Sequence, residues 1–144
     1  MLARRLLALA ALALLAACAD EDSPEQQVRA VIERMERAVE ARDVGDVVAL
    51  LSSEYRDAYG NTADDVSRRI RGYFIANQSI HLLTRVEELA FPHPDEARAT
   101  VLVGMVGREA DATGAWNLAT ELRTFDVVFI REDGEWKVSW AEWR

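Results

Sequence analysis

Near Asn77 the spacing of apolar residues changes from three-to-four down to two, dividing the chain into a helical half and a strand half. Before this point Val28, Val31, Ile32, Met35, Ala38 and Val39 recur at helical spacing, with Glu33, Arg34, Glu36, Arg37 and Glu40 on the other side. After it Ile80, Leu82, Thr84 and Val86 alternate with His81, Leu83, Arg85 and Glu87, the pattern of a strand.

Local signals refine both halves. Ser23-Pro24-Glu25-Gln26 offers a helix cap, a proline at the first helical position and a glutamine placed to close a capping box, which predicts a helix over residues 24–42. Asp43-Val44-Gly45-Asp46 interrupts it and opens a shorter helix whose apolar side is Val47, Val48, Leu50 and Leu51. Residues 52–60 read as irregular and carry Tyr55 and Tyr59. Thr62, with Asp65 three residues on, caps a third helix with Val66, Ile70, Tyr73 and Phe74 as its buried stripe. Strands are expected over the segment after Asn77, over 97–107, over 116–130 and over 136–143. Turns are expected at 91–95 and at Asp133-Gly134, and a loop at 108–114. Trp136 and Trp140 are expected on one face, sealing the sheet against the first helix. The resulting class is α+β: three N-terminal helices packed on an antiparallel sheet of four or more strands.

The N-terminus makes a separate demand. Arg4 and Arg5 precede an apolar run from Leu6 to Ala17, which ends in Leu15-Ala16-Ala17-Cys18. The run is shorter than the roughly 20 residues needed to span a bilayer and matches the apolar region of an export signal. Leu-Ala-Ala-Cys resembles the lipobox of bacterial lipoproteins. That resemblance implies a signal peptide over 1–17, lipid attachment at Cys18, a tether over 18–23 and a folded domain over 24–144. It further implies a cell-envelope location facing the periplasm, with the membrane as partner through the acylated cysteine. Ala19 after the cysteine favours the outer membrane over the inner. An ordinary secretory signal leaving a free thiol, or an uncleaved anchor, are the alternatives.

Cys18 is the single cysteine, so no intrachain disulfide is available and the core must hold the fold. Without Arg4 and Arg5 the 17 basic side chains fall to about 15 against 25 acidic ones, a formal charge of about −10. Such a surface repels phosphate backbones, so nucleic acid is not an expected partner.

Ala41-Arg42-Asp43-Val44-Gly45-Asp46-Val47-Val48-Ala49-Leu50-Leu51, the tyrosine-bearing loop after it, and the closing Asp133-Gly134-Glu135-Trp136-Lys137-Val138-Ser139-Trp140 together resemble the nuclear transport factor 2-like superfamily. This group is also called SnoaL-like or ketosteroid-isomerase-like. The resemblance covers nearly all of residues 24–143 in order. It implies a cone-shaped domain with a strongly curved sheet and a pocket, and pairing of two copies through the sheet. It does not specify a function, since the superfamily holds isomerases, cyclases, dehydratases and transport factors.

The catalytic set of the steroid-isomerase branch does not transfer. Its helix tyrosine falls on Met35, which cannot donate to an oxyanion, and its general base falls near Tyr59, a poor base with a phenol pKa near 10. Asp126 alone falls near an acidic donor. His81 and His93 form no ligand-like cluster, and no phosphate loop or nucleophile elbow is present, so no metal and no cofactor are expected.

Asp126, in register with Leu118, Leu122, Val128 and Ile130, is expected on the apolar face unless a bulge intervenes. Tyr59, Tyr73, Trp116, Asp126 and Trp140 are the candidate pocket residues. Three readings follow. The first is a lipid-anchored binding or accessory protein for a small hydrophobic molecule, with no identified catalytic residue. The second is an isomerase or hydrolyase using Asp126 as acid or base. The third is a structural envelope dimer.

Overall fold

The computed structural model describes residues 22–110 and 116–144, with no side chains described at 109, 110 and 116–119. The expected signal, Cys18 and the start of the tether therefore lie outside the described residues, as does the side chain of Trp116.

Among the described residues, three helices precede or interrupt the early part of a five-stranded sheet. Helix α1 is Pro24–Glu40, α2 is Val44–Ala49 and α3 is Ala63–Ala76. Strands are β1 Leu51–Asp57, β2 Asn77–His93, β3 Glu96–Ala110, β4 Trp116–Glu132 and β5 Glu135–Trp143. The order across the sheet is β1-β5-β4-β3-β2. Every pairing is antiparallel except β1 with β5, which is parallel, so the sheet is mixed.

The helix starts follow their caps. Ser23 and Thr62 each accept a hydrogen bond from the backbone three residues on, and the side chains of Gln26 and Asp65 each accept one from the cap's backbone N–H, closing both boxes. Asp43 caps α2 through Asp46 N at 2.9 Å. The break before it is Arg42, which takes a positive φ of 55°. Its guanidinium donates to the carbonyls of Phe74 and Asn77, joining the α1–α2 corner to the end of α3. Asp133 and Gly134 both have positive φ, as the tight turn between β4 and β5 requires.

Two departures from the sequence reading concern strands. The segment expected to be irregular is largely β1, followed by a turn around Gly60. Its buried residues are Ser52, Tyr55 and Asp57, and its register against β5 slips between Leu51 and Arg56. That slip destroys the alternation by which a strand is recognised. Second, Trp136 and Trp140 do not share a face. Phe129 pairs with Val138 and Val128 with Trp140, so Ser139 is an extra residue that reverses the alternation after it.

The core lies between the helices and one face of the sheet. Val28 and Val31 of α1 meet Ala97, Ala99, Val101, Phe129, Trp136 and Val138. Trp136 is buried and its indole N–H donates to Gln27 Oε1 at 3.0 Å, which satisfies its polar atom. A second cluster joins Ala38, Val47, Phe74 and Ile80, and Met35 packs against both. Burial fades along β3: Ala97, Ala99 and Val101 are buried, whereas Val103 and Met105 on the same side are only half-buried.

Candidate functional site

The candidate residues divide between two sides of the sheet. Asp126 lies on the side turned away from the helices. It pairs with Thr100, which sits between the core residues Ala99 and Val101 and points the opposite way. The expectation that Asp126 faces the core is thus corrected. Strand β4 is apolar on both sides, with Phe125, Val127 and Phe129 toward the helices and Leu122 and Val128 away. Its alternation defines two faces without saying which is buried.

Asp126 is held by two donors. Thr100 Oγ1 donates to its Oδ1 at 2.8 Å, and the Arg144 guanidinium donates to Oδ2. These donors, Arg144 first, hold its carboxyl below the usual carboxylate range. A general acid at neutral pH needs the opposite shift, and a base needs more proton affinity than this setting leaves.

Trp140 joins Asp126. Turned outward by the bulge at Ser139, it lines a groove of about 680 Å³ with Asp126, Thr100, Val128, Glu88 and Arg98. The groove is open and of mixed charge.

The tyrosines lie elsewhere. Tyr59 is exposed, donates to the carbonyl of Trp143 at 2.8 Å and packs tilted against its ring, 4.8 Å between centroids. Phe125 extends this aromatic group on the helix side, 5.9 Å from Trp143. Tyr73 is half-buried and its hydroxyl meets Met105 Sδ at 3.3 Å. Tyr59, Tyr73, Asp126 and Trp140 therefore do not converge on one pocket. On the helix side the far part of β3 is only half-buried: Val103, like Val66, packs at the margin of the first core cluster, and Met105, like Ile70 and Tyr73, at the margin of the second. In register with this part of β3, Arg123 pairs with Val103 and Glu121 with Met105, and these two charged side chains hydrogen-bond each other at 3.3 Å.

Tyr55 was missed at the sequence level. It is buried in the first core cluster, and burial, helped by the nearby charge of Asp57, pushes its phenol up to about 12. Only the register slip in β1 concealed it. Asp57 was missed for the same reason. Its carboxylate accepts from the backbone N–H groups of Tyr59 and Asn61 at 2.9 Å and from the Asn61 side chain at 2.7 Å, which locks the turn after β1.

His81 and His93 are both exposed, and among the described residues no group of three or more His, Cys, Asp or Glu is placed to hold a metal. Among the described residues no helix is long and apolar enough to cross a membrane.

No family profile matches the sequence, and no curated protein matches it. Solved structures do match in fold. A candidate scytalone dehydratase from Novosphingobium aromaticivorans superposes with a TM-score of 0.75 at 13% identity, covering 83% of this chain and 82% of its own. A candidate dehydratase of the nuclear transport factor 2-like family from Streptomyces avermitilis gives 0.70 at 15% identity, covering 85% of this chain and 97% of its own. An uncharacterised protein with a cystatin-like fold from Caulobacter vibrioides gives 0.65 at 10% identity, covering 81% and 85%. The chain shares the fold of these proteins. At such identities the likeness concerns architecture and carries no activity with it.

Proposed function

We propose that this chain is a lipid-anchored protein of the periplasmic face of a bacterial envelope, with a cone-shaped domain that holds a small hydrophobic molecule or assists a partner that does. The observation that carries the binding reading is the loss of burial along the helix side of β3. Val103 and Met105 are half-buried where Ala97, Ala99 and Val101 are sealed, and half-buried Val66 and Ile70 of α3 lie at the margins of the same two core clusters. Half-buried apolar side chains facing one another are the lining that a hydrophobic ligand needs. The anchoring reading rests on Leu15-Ala16-Ala17-Cys18.

Native mass spectrometry of the detergent-extracted protein from its own host tests the first part. A retained small molecule, lost in Val103→Trp, is the expected result. An empty protein that takes up no hydrophobic fluorophore would overturn it. For the anchor, Cys18→Ala should abolish incorporation of radiolabelled palmitate and release the protein from membranes. Unchanged labelling would sink that part.

Two of the fold neighbours are described as candidate dehydratases, which favours the alternative of a hydrolyase or isomerase on a small hydrophobic substrate. The ion-paired, outward setting of Asp126 weighs against that residue as its acid or base. A structural reading, two copies paired through the sheet, draws on one further observation. Leu83 and Leu122 are 75% and 71% exposed and flank Gly104 in one row across three strands. Sedimentation at increasing concentration tests it.

A further inference from the structure

The end of the domain where α1 begins carries a feature that the proposed ligand pocket does not use. The end of β2, which runs on to His93 where a turn was expected from residue 91, and the turn after it bring Phe91, Pro92, His93 and Pro94 to the surface, all of them exposed. Phe91 is fixed there by an edge contact with the buried Trp136, 5.9 Å between ring centroids. Between this turn and the start of α1 runs a groove of about 550 Å³, lined by Ser23, Pro24, Phe91, Pro94 and Arg131.

The chain length outside the described residues bears on what covers it. Ser23 lines the groove, and Cys18 is five residues earlier. Fully extended, five residues reach about 18 Å. A lipid held at Cys18 would therefore keep the start of α1 within about 18 Å of the bilayer. The charges here offer little attraction of their own. Arg131 lies 3.5 Å from Asp95, donates to Gln27 and stacks over the Trp136 ring, while Glu25 and Asp95 add negative charge. Contact with a membrane at this end must come from apolar atoms.

We infer that the Phe91–Pro94 turn and its groove seat on the headgroup–acyl boundary of the membrane that carries the anchor. This rests on the lipoprotein reading above. The turn then acts as a second foot, setting the orientation of the domain relative to the bilayer.

The test uses the mature, lipidated protein in phosphatidylcholine vesicles containing a lipid spin-labelled near the top of its acyl chain. With the Cys18 sulfur consumed by acylation, Pro92→Cys supplies a unique thiol for a fluorescent label. His93→Cys serves in its place where the first variant fails to fold. Gln78→Cys, exposed at the other end of β2, is the control, about 46 Å away along the strand at roughly 3.3 Å per residue. The turn label should lose more than about half its emission, as interfacial segments seat about 5–10 Å into this boundary. The control should lose almost none, and raising the salt concentration should change neither. Vesicle flotation with equal quenching at both positions, or with quenching at the turn that vanishes in salt, would overturn the inference alone. Failure to float would overturn the anchoring reading and this inference with it.

Discussion

Trp136 and Trp140 are four residues apart on one strand and face opposite sides of the sheet, because Ser139 is an unpaired extra residue between them. The energetic prediction is asymmetric. Trp136→Ala removes a core side chain and one of the two donors to Gln27 Oε1, and should cost about 3–5 kcal/mol. Trp140→Ala should cost about 1 kcal/mol or less, as expected of a side chain on an open groove. Urea denaturation of both variants checks this, and equal costs would contradict the bulge.

Gly107 has no room for a side chain. A methyl group there would sit 2.7 Å from Asn77 Oδ1 and 3.3 Å from the Tyr73 hydroxyl, and Asn77 is wholly buried. Gly107→Ala should lose about 1–3 kcal/mol, the usual cost of overpacking. A thermal midpoint equal to the parent's would refute the close packing.

Tyr55 should remain a neutral phenol well past the point where ordinary tyrosines ionise. Its folded value is raised from 10.0 to about 12, so its contribution to stability is complete below pH 10. That contribution declines as pH rises from about 10 toward 12. Ultraviolet titration at 295 nm should show Tyr55→Phe removing the latest step. Loss of an early step instead would count against its burial.

Acid should loosen the fold through three carboxylates. Asp126 is lowered by Arg144 and Thr100, Asp65 by the Thr62 backbone and hydroxyl, and Glu132 by Ser53 and Ser52. Lowered folded values mean that their stabilisation is present above the ordinary carboxylate range, about pH 4, and is lost as pH falls below it. Because these groups are largely solvated, each effect is small and weakened by salt. Asp126→Asn should flatten the fall in melting temperature between pH 5 and pH 2. An unchanged slope would show that the Arg144 pair contributes nothing.

The helical half was legible because its signals are local. Ser23 with Gln26 and Thr62 with Asp65 form the two boxes expected of them, and Asp43 caps where the helical pattern breaks. The hairpin at Asp133-Gly134 was legible for the same reason. The remaining errors came from pairings between distant residues. A register slip against β5 hid β1, one extra residue turned Trp140 around, and two apolar faces on β4 left the orientation of Asp126 to be decided by the helices. The candidate site suffered most, since Tyr59, Tyr73, Asp126 and Trp140 were grouped by residue type while their placement depends on those long-range registers.

The parallel pairing of β1 with β5 has a consequence for the order of events during synthesis. Among the described residues, 51–57 find their only strand partner at residues 138–141, in β5. Until those residues arrive, Tyr55 lacks the strand beside it and Asp57 lacks its neighbour Ala141. The β2–β3–β4 part of the sheet can pair as it emerges, whereas the docking of β1 and the core around Tyr55 wait for residues 138–141.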